Sequence, residues 1–132
     1  MRTRVGAVIL KDKKVLLMHR IKNEKEYYVI PGGSLESNET IIEACHREIK
    51  EETNLDINII KEAFRILNEG KKEIYFLAEP KSSNLKLGGP EVLRESANNR
   101  YILEWVDILE ISKLNLMPPN IKDELLKAYL LQ

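Results

Sequence analysis

Between Pro31 and Leu55 the chain reads PGGSLESNETIIEACHREIKEETNL, and its glycines and acids are spaced for chemistry. A Pro31-Gly32-Gly33 turn leads through Glu39 to Arg47-Glu48-Ile49-Lys50-Glu51-Glu52. Such an arrangement can hold divalent cations against a phosphate chain. Hard cations take carboxylate oxygens and leave positions open for waters and phosphates.

A helix must present those acids. Thr40 followed by Glu43 has the form of a capping box, which predicts a start at about Ile41. Asn54 tolerates the left-handed conformation and should end the helix. Counting roughly 100° per residue from Ile41 puts Cys45, Ile49 and Ile42 at about 40°, 80° and 100°, an apolar arc facing a core. Glu51, Glu48 and Glu52 fall at about 280°, 340° and 20°, on one acidic arc with Glu52 at the edge of the buried stripe. An acidic run is ordinarily a solvated face. Partly buried carboxylates about 6 Å apart would instead repel by about 3 kcal/mol per pair at an effective dielectric of about 20. A bound cation removes that penalty, which favours the metal-site reading.

Gly33, Glu39, Arg47, Glu48, Ile49, Glu51, Glu52 and Leu55 together resemble the signature of the Nudix hydrolases, G-x5-E-x7-R-E-U-x-E-E-x-G-U, with U a bulky aliphatic residue. Asn54 stands where the family has its second glycine. Val15-Leu16-Leu17-Met18-His19-Arg20 and Glu104-Trp105-Val106 are similar to two of the family's strands. The resemblance implies a Nudix-type α/β/α sandwich, a mixed β-sheet flanked by helices, as a single domain over residues 1–132. It also implies divalent-metal-dependent hydrolysis of a pyrophosphate bond in a nucleoside diphosphate linked to another group. Mg²⁺ or Mn²⁺ would be held by Glu48, Glu51 and Glu52, aided by the Gly32 carbonyl. By the same resemblance Glu48 is the general base, with Glu91 or Glu95 of a later loop as alternative base or metal ligand. Arg47 would orient Glu48 or pair with Glu39, and Glu39 would brace the loop.

Length and composition agree with an ordinary globular chain. Its 132 residues suffice for a real core. With 21 acids against 21 bases, nothing suggests an electrostatic grip on nucleic-acid polymers or membranes. The lone Cys45 excludes an intrachain disulfide and belongs on the apolar arc as a packed thiol. The absence of a signal peptide or transmembrane-length apolar run argues for the cytoplasm. A homodimer is left open.

Short strands punctuated by turns make up the remaining pattern. Strands are expected at 4–10 and 15–20 around a turn at 11–14, then a charged loop at 21–26 and a short strand at 27–30. Further strands are expected at 57–67 and 73–78, joined by Asn68-Glu69-Gly70, and at 101–106. Residues 79–100 read as a long polar loop with a functional role. A last helix, 121–131, follows Pro118-Pro119, with Asn120 as a plausible cap.

Substrate recognition is less specified. Arg20 could contact a phosphate or base, Tyr27 or Tyr28 could stack on a nucleobase, and Arg94, Asn99 and Tyr101 could shape the leaving-group pocket. Small family members resemble the MutT-type nucleoside triphosphate pyrophosphohydrolases, which read a purine from a segment like Pro118-Pro119-Asn120. The expected substrate is therefore a nucleoside triphosphate. ADP-ribose, nucleotide sugars and dinucleoside polyphosphates are the alternatives, as is a Nudix module that senses nucleotides without turnover.

Overall fold

The computed structural model describes residues 2–132. Strands β1 (Thr3–Lys11) and β2 (Lys14–Lys22) form a hairpin. Its tip places Asp12 and Lys13 at φ 50° and 66°. Strand β3 (Lys25–Val29) follows directly, because the 21–26 segment is not a loop. Ile21 pairs with Glu26 and Lys22 with Lys25, leaving only Asn23 and Glu24 to turn. Pairing on both flanks of β2 supplies the hydrogen bonds that overrule its polar end.

The glycine turn is a second correction. Gly32–Ser34 is strand β4, antiparallel to β1, with Gly6 opposite Gly32 and Val5 opposite Gly33. Helix α1 (Ile41–Thr53) begins at the expected capping box, with the Thr40 hydroxyl accepting from Glu43 N–H and Glu43 reaching back to Thr40 N–H. It ends with Asn54 at φ 65°. Strands β5 (Ile57–Asn68) and β6 (Lys71–Pro80) form a hairpin around Glu69 and Gly70. The 79–100 segment contains a short helix, α2 (Pro90–Arg94), that the polar composition hid. Strand β7 (Asn99–Asp107), a 3₁₀ helix (Ile108–Lys113) and helix α3 (Ile121–Leu130) complete the chain.

The sheet runs β3-β2-β1-β6-β5, with β4 also on β1 and β7 also on β2. Only the β1–β6 pairing is parallel among these, so the sheet is mixed. Alternation divides the side chains between its faces. Val5, Ala7 and Ile9 of β1 pack beneath Ala44, Cys45 and Ile49 of α1. Val8, Val15 and Leu17 face Ile111, Ile121 and Leu125 on the other side. The expected α/β/α layering is present. Ile42, assigned to the buried arc, is instead 50% exposed, because the buried face centres on Ala44, Cys45, Ile49 and Glu52. No helix among the described residues is long and apolar enough to cross a membrane.

Thr40→Ala deletes half of the capping box and should cost about 1 kcal/mol of stability in urea unfolding. An unchanged midpoint would mean that the tertiary contacts of α1 alone fix its start.

Candidate active site

Strand β4 runs against the acidic face of α1. A side-chain Cβ built at Gly33 would lie 2.1 Å from Glu48 Oε2, so any other residue here would force that carboxylate to move. One turn further along, Glu52 is 7% exposed. Burial pushes its pKa up to about 8. The Arg4 charge opposes that rise, while Glu91 and Glu48 add to it. Glu48 also rises, again chiefly from burial, against the hydrogen bond it receives from Arg47.

Arg47 binds the surrounding loop to the helix. Its Nε donates to Glu39 Oε2 at 2.6 Å, and Nη2 donates to Glu39 Oε1 at 2.9 Å and to the Ser34 carbonyl at 3.1 Å. Its Nη1 donates to Glu48 Oε1 at 2.9 Å and Glu51 Oε2 at 3.3 Å. This hydrogen bonding holds the Glu39 carboxyl down at about 2, helped by the backbone N–H of Glu36. The guanidinium thus reaches both expected partners, Glu48 and Glu39. Cys45 is buried, and desolvation raises its thiol to about 12, which suits a packing residue.

The 81–98 segment reaches the site by lying on the C-terminal end of α1. Lys86 N–H donates to Thr53 O at 2.9 Å and Gly88 N–H to Glu52 O at 3.0 Å, satisfying carbonyls that a helix end leaves without partners. Asn54 Nδ2 donates to Asn84 O at 2.7 Å. A Cβ at Gly88 would come within 2.3 Å of Glu51 O, so glycine is required there. The chain then turns into α2 with Glu91 on the cleft wall. Glu95 points elsewhere, accepting from Tyr101 N–H at 3.3 Å.

A cleft of about 690 Å³ extends from Gly32, Glu52 and Glu91. Arg20 forms one wall, its guanidinium 3.7 Å from the centroid of Tyr101 and 5.7 Å from that of Tyr27. These three residues stand in one row across β7, β2 and β3. Tyr28 is not part of that wall: adjacent strand residues face opposite sides, and its ring stacks on His19 at 4.3 Å. Arg94 and Asn120 are exposed and do not line the cleft, and Asn120 makes no side-chain capping bond. Their neighbours Glu91, Pro118 and Pro119 are the residues that face it.

A partly buried polar cluster lining the cleft escaped the sequence reading. Arg4 Nη2 donates to Ile30 O at 2.8 Å. Burial works against the Arg4 charge, but Tyr75, Glu52 and Glu73 outweigh it and raise its pKa. Tyr75 OH and Asn68 Nδ2 donate to the two oxygens of Glu73 at 2.6 and 2.9 Å. The only local sign was an arginine entering an otherwise apolar strand.

The donor chemistry suits a hard divalent cation. Glu52 is buried with only partial compensation, Glu48 lies beside it, and the glycine strand admits close approach. Among the described residues no three Asp, Glu, His or Cys side chains converge as a ready-made cage. Glu51, with its side chain 51% exposed, and Glu48 both turn toward Arg47. A cation with few protein ligands, its shell completed by waters and phosphates, fits this arrangement better than one needing a full cage.

An RNA pyrophosphohydrolase of Pelagibacter ubique is 39% identical over 64 residues, spanning 47% of this chain and 40% of that protein. An ADP-ribose pyrophosphatase of Methanocaldococcus jannaschii is 50% identical over 52 residues, or 39% of this chain and 31% of that protein. An 8-oxo-dGDP phosphatase of Danio rerio is 34% identical over 86 residues, or 62% of this chain and 26% of its own length. The chain thus matches less than half the length of each. A Nudix-family hydrolase from Clostridium perfringens has the same fold, with a TM-score of 0.75 at 22% identity over 98% of this chain and 97% of the other. A MutT protein from Methanosarcina mazei Go1 superposes with a TM-score of 0.72 at 23% identity, covering 98% and 93% of the two chains. The NUDIX domain model matches residues 1–129, and the chain belongs to the Nudix family.

Proposed function

We propose that this chain hydrolyses a pyrophosphate bond in a nucleoside diphosphate derivative, with a nucleoside triphosphate as the first choice of substrate. The observation that carries the proposal is the buried Glu52 beside Glu48 and Gly32, opening into a cleft walled by Arg20, Tyr27 and Tyr101. A cleft of about 690 Å³ suits one nucleotide. Tyr27 and the Arg20 guanidinium offer flat surfaces on which a base can stack. Arg4, charged on the cleft floor, can meet phosphate oxygens.

Mg²⁺ or Mn²⁺ would be held by Glu52 and Glu48 with the Gly32 carbonyl, and by Glu51 once it leaves Arg47. When bound, such a cation supplies charge neutralisation and Lewis acidity at the pyrophosphate oxygens. Glu48 is the first choice of base: burial makes its carboxylate a better proton acceptor, and Arg47 fixes its direction. Glu91 is the second, since it lines the cleft, whereas Glu95 is committed to Tyr101 N–H.

ADP-ribose is a second reading with its own support. The cleft continues past Arg4 to Asn68, Glu69 and Lys71 at the β5–β6 turn, offering polar groups for a second sugar. The similarity to an ADP-ribose pyrophosphatase over 52 residues favours it as well. A kcat/KM panel over nucleoside triphosphates, ADP-ribose, nucleotide sugars and dinucleoside polyphosphates, with products separated by chromatography, decides between them. A hundredfold preference for ADP-ribose would overturn the triphosphate choice. Saturable nucleotide binding with no turnover on the whole panel would overturn hydrolysis itself.

Glu52→Gln should cut kcat by more than the roughly 10–100-fold that loss of an outer-sphere partner costs. The same variant should be more stable than wild type in EDTA. Burial raises the Glu52 pKa from 4.5 to about 8 in the folded state. Stability is therefore complete below the unfolded value and is lost as pH rises through the folded one. The gap in Tm should open from about pH 5, level off above about pH 8 and vanish in acid. A constant gap would place the Glu52 carboxyl in a polar setting.

For the base, Glu48→Gln should lower kcat much more than it changes KM and flatten the acid limb of the pH–kcat profile. Near-normal turnover in this variant, with loss in Glu91→Gln, would move the base to the loop.

A further inference from the structure

Asn99, the first residue of β7, bridges the arginine of the cleft wall and the end of α2. Its Oδ1 accepts a hydrogen bond from Arg20 Nη2. Its Nδ2 donates to the Arg94 carbonyl, at the end of α2, at 3.0 Å. Its backbone bonds Ser96 in both directions, at 3.0 and 3.2 Å, closing the turn between α2 and β7. An amide offers one acceptor and one donor group, and here they point at different elements.

One end of that amide holds a residue of the cleft wall, and the other holds the short helix that carries Glu91. Arg20 has a long side chain with high rotamer entropy, so a flat pose over Tyr101 needs fixing. Nε donating to Arg100 O at 3.3 Å fixes one edge of the guanidinium, and Asn99 fixes another. Helix α2 has five residues, too few for its own hydrogen bonds to hold it in place. It is tied at its front by Gly88 on α1 and at its rear by Asn99, with Glu91 between the two.

We propose that Asn99 is a positioning residue that couples the guanidinium–aromatic wall to the seat of Glu91. The inference rests on the reading of this cleft as the nucleotide site. Its consequence is that a base stacking on Arg20 and the placement of the Glu91 carboxylate are adjusted through one side chain.

Aspartate separates the two functions. Asn99→Asp keeps an acceptor for Arg20 but sets a carboxylate without a proton against the Arg94 carbonyl. Loss of one hydrogen bond that acts in turnover should lower kcat about tenfold, with KM within about twofold of wild type. Asn99→Ala loses both ends and should raise KM as well. Amide hydrogen exchange supplies a measure independent of activity. Exchange over residues 91–94 should quicken in both variants, while exchange in β6 stays as in wild type. Wild-type exchange over 91–94 in Asn99→Asp would overturn the proposal, as would a rise in KM with unchanged kcat. If the wild-type protein hydrolyses no nucleotide, the functional reading fails and the exchange comparison still decides the role of Asn99.

Discussion

The Arg47 guanidinium donates at once to Glu39, Glu48, Glu51 and the Ser34 carbonyl, and the geometry of the site depends on it. The planar fork of an arginine can serve acceptors in several directions, which the point charge of a lysine cannot. Two of its acceptors lie on α1, one at the end of β4 and one in the loop that leads to the helix. Together with the pairing of β4 on β1, these bonds hold Gly33 against the Glu48 carboxylate without room for a Cβ. The same contacts partly neutralise acids that would otherwise repel across adjacent turns. Helix, loop and glycine strand form one unit fixed mainly by charge-assisted hydrogen bonds.

A second charge arrangement lies beneath the cleft. Arg4 sits among Glu52, Glu73 and Tyr75, and its positive charge limits how far burial can raise Glu52. The site thus contains one acid held charged, Glu39, and one pushed toward neutrality, Glu52. The difference follows from environment alone. Glu39 receives a bidentate arginine, whereas Glu52 loses most of its water with only the nearby Arg4 charge to offset the loss.

Local signals in the sequence carried over to the structure where the physics is local. The capping box of α1, its left-handed Asn54, the burial of Cys45 and the pairing of Arg47 with Glu39 all follow from residues within a few turns of one another. Errors arose where distant pairing decides. Gly32–Ser34 is a strand because β1 lies beside it, and nothing between Pro31 and Leu35 announces that partner. Tyr27 rather than Tyr28 faces the cleft because the phase of β3 is set by its register with β2. The exposed position of Asn120 and the polar floor at Arg4, Glu73 and Tyr75 likewise depend on how separate strands and α3 come together.

The stretch from Lys81 to Gly88 has the composition of a loop that could be cut or lengthened without harm. Its backbone is nonetheless committed. Lys81 N–H donates to Asp56 O, Lys86 to Thr53 O and Gly88 to Glu52 O. Tolerance to proteolysis or insertion depends on the hydrogen bonding of the backbone concerned rather than on its polarity. A protease would have to lift this strap off the end of α1 before it could bind an extended strand. An added residue would slide every downstream anchor, moving the following acid away from the cleft. A segment that looks dispensable by composition therefore has its length set by the helix end on which it lies.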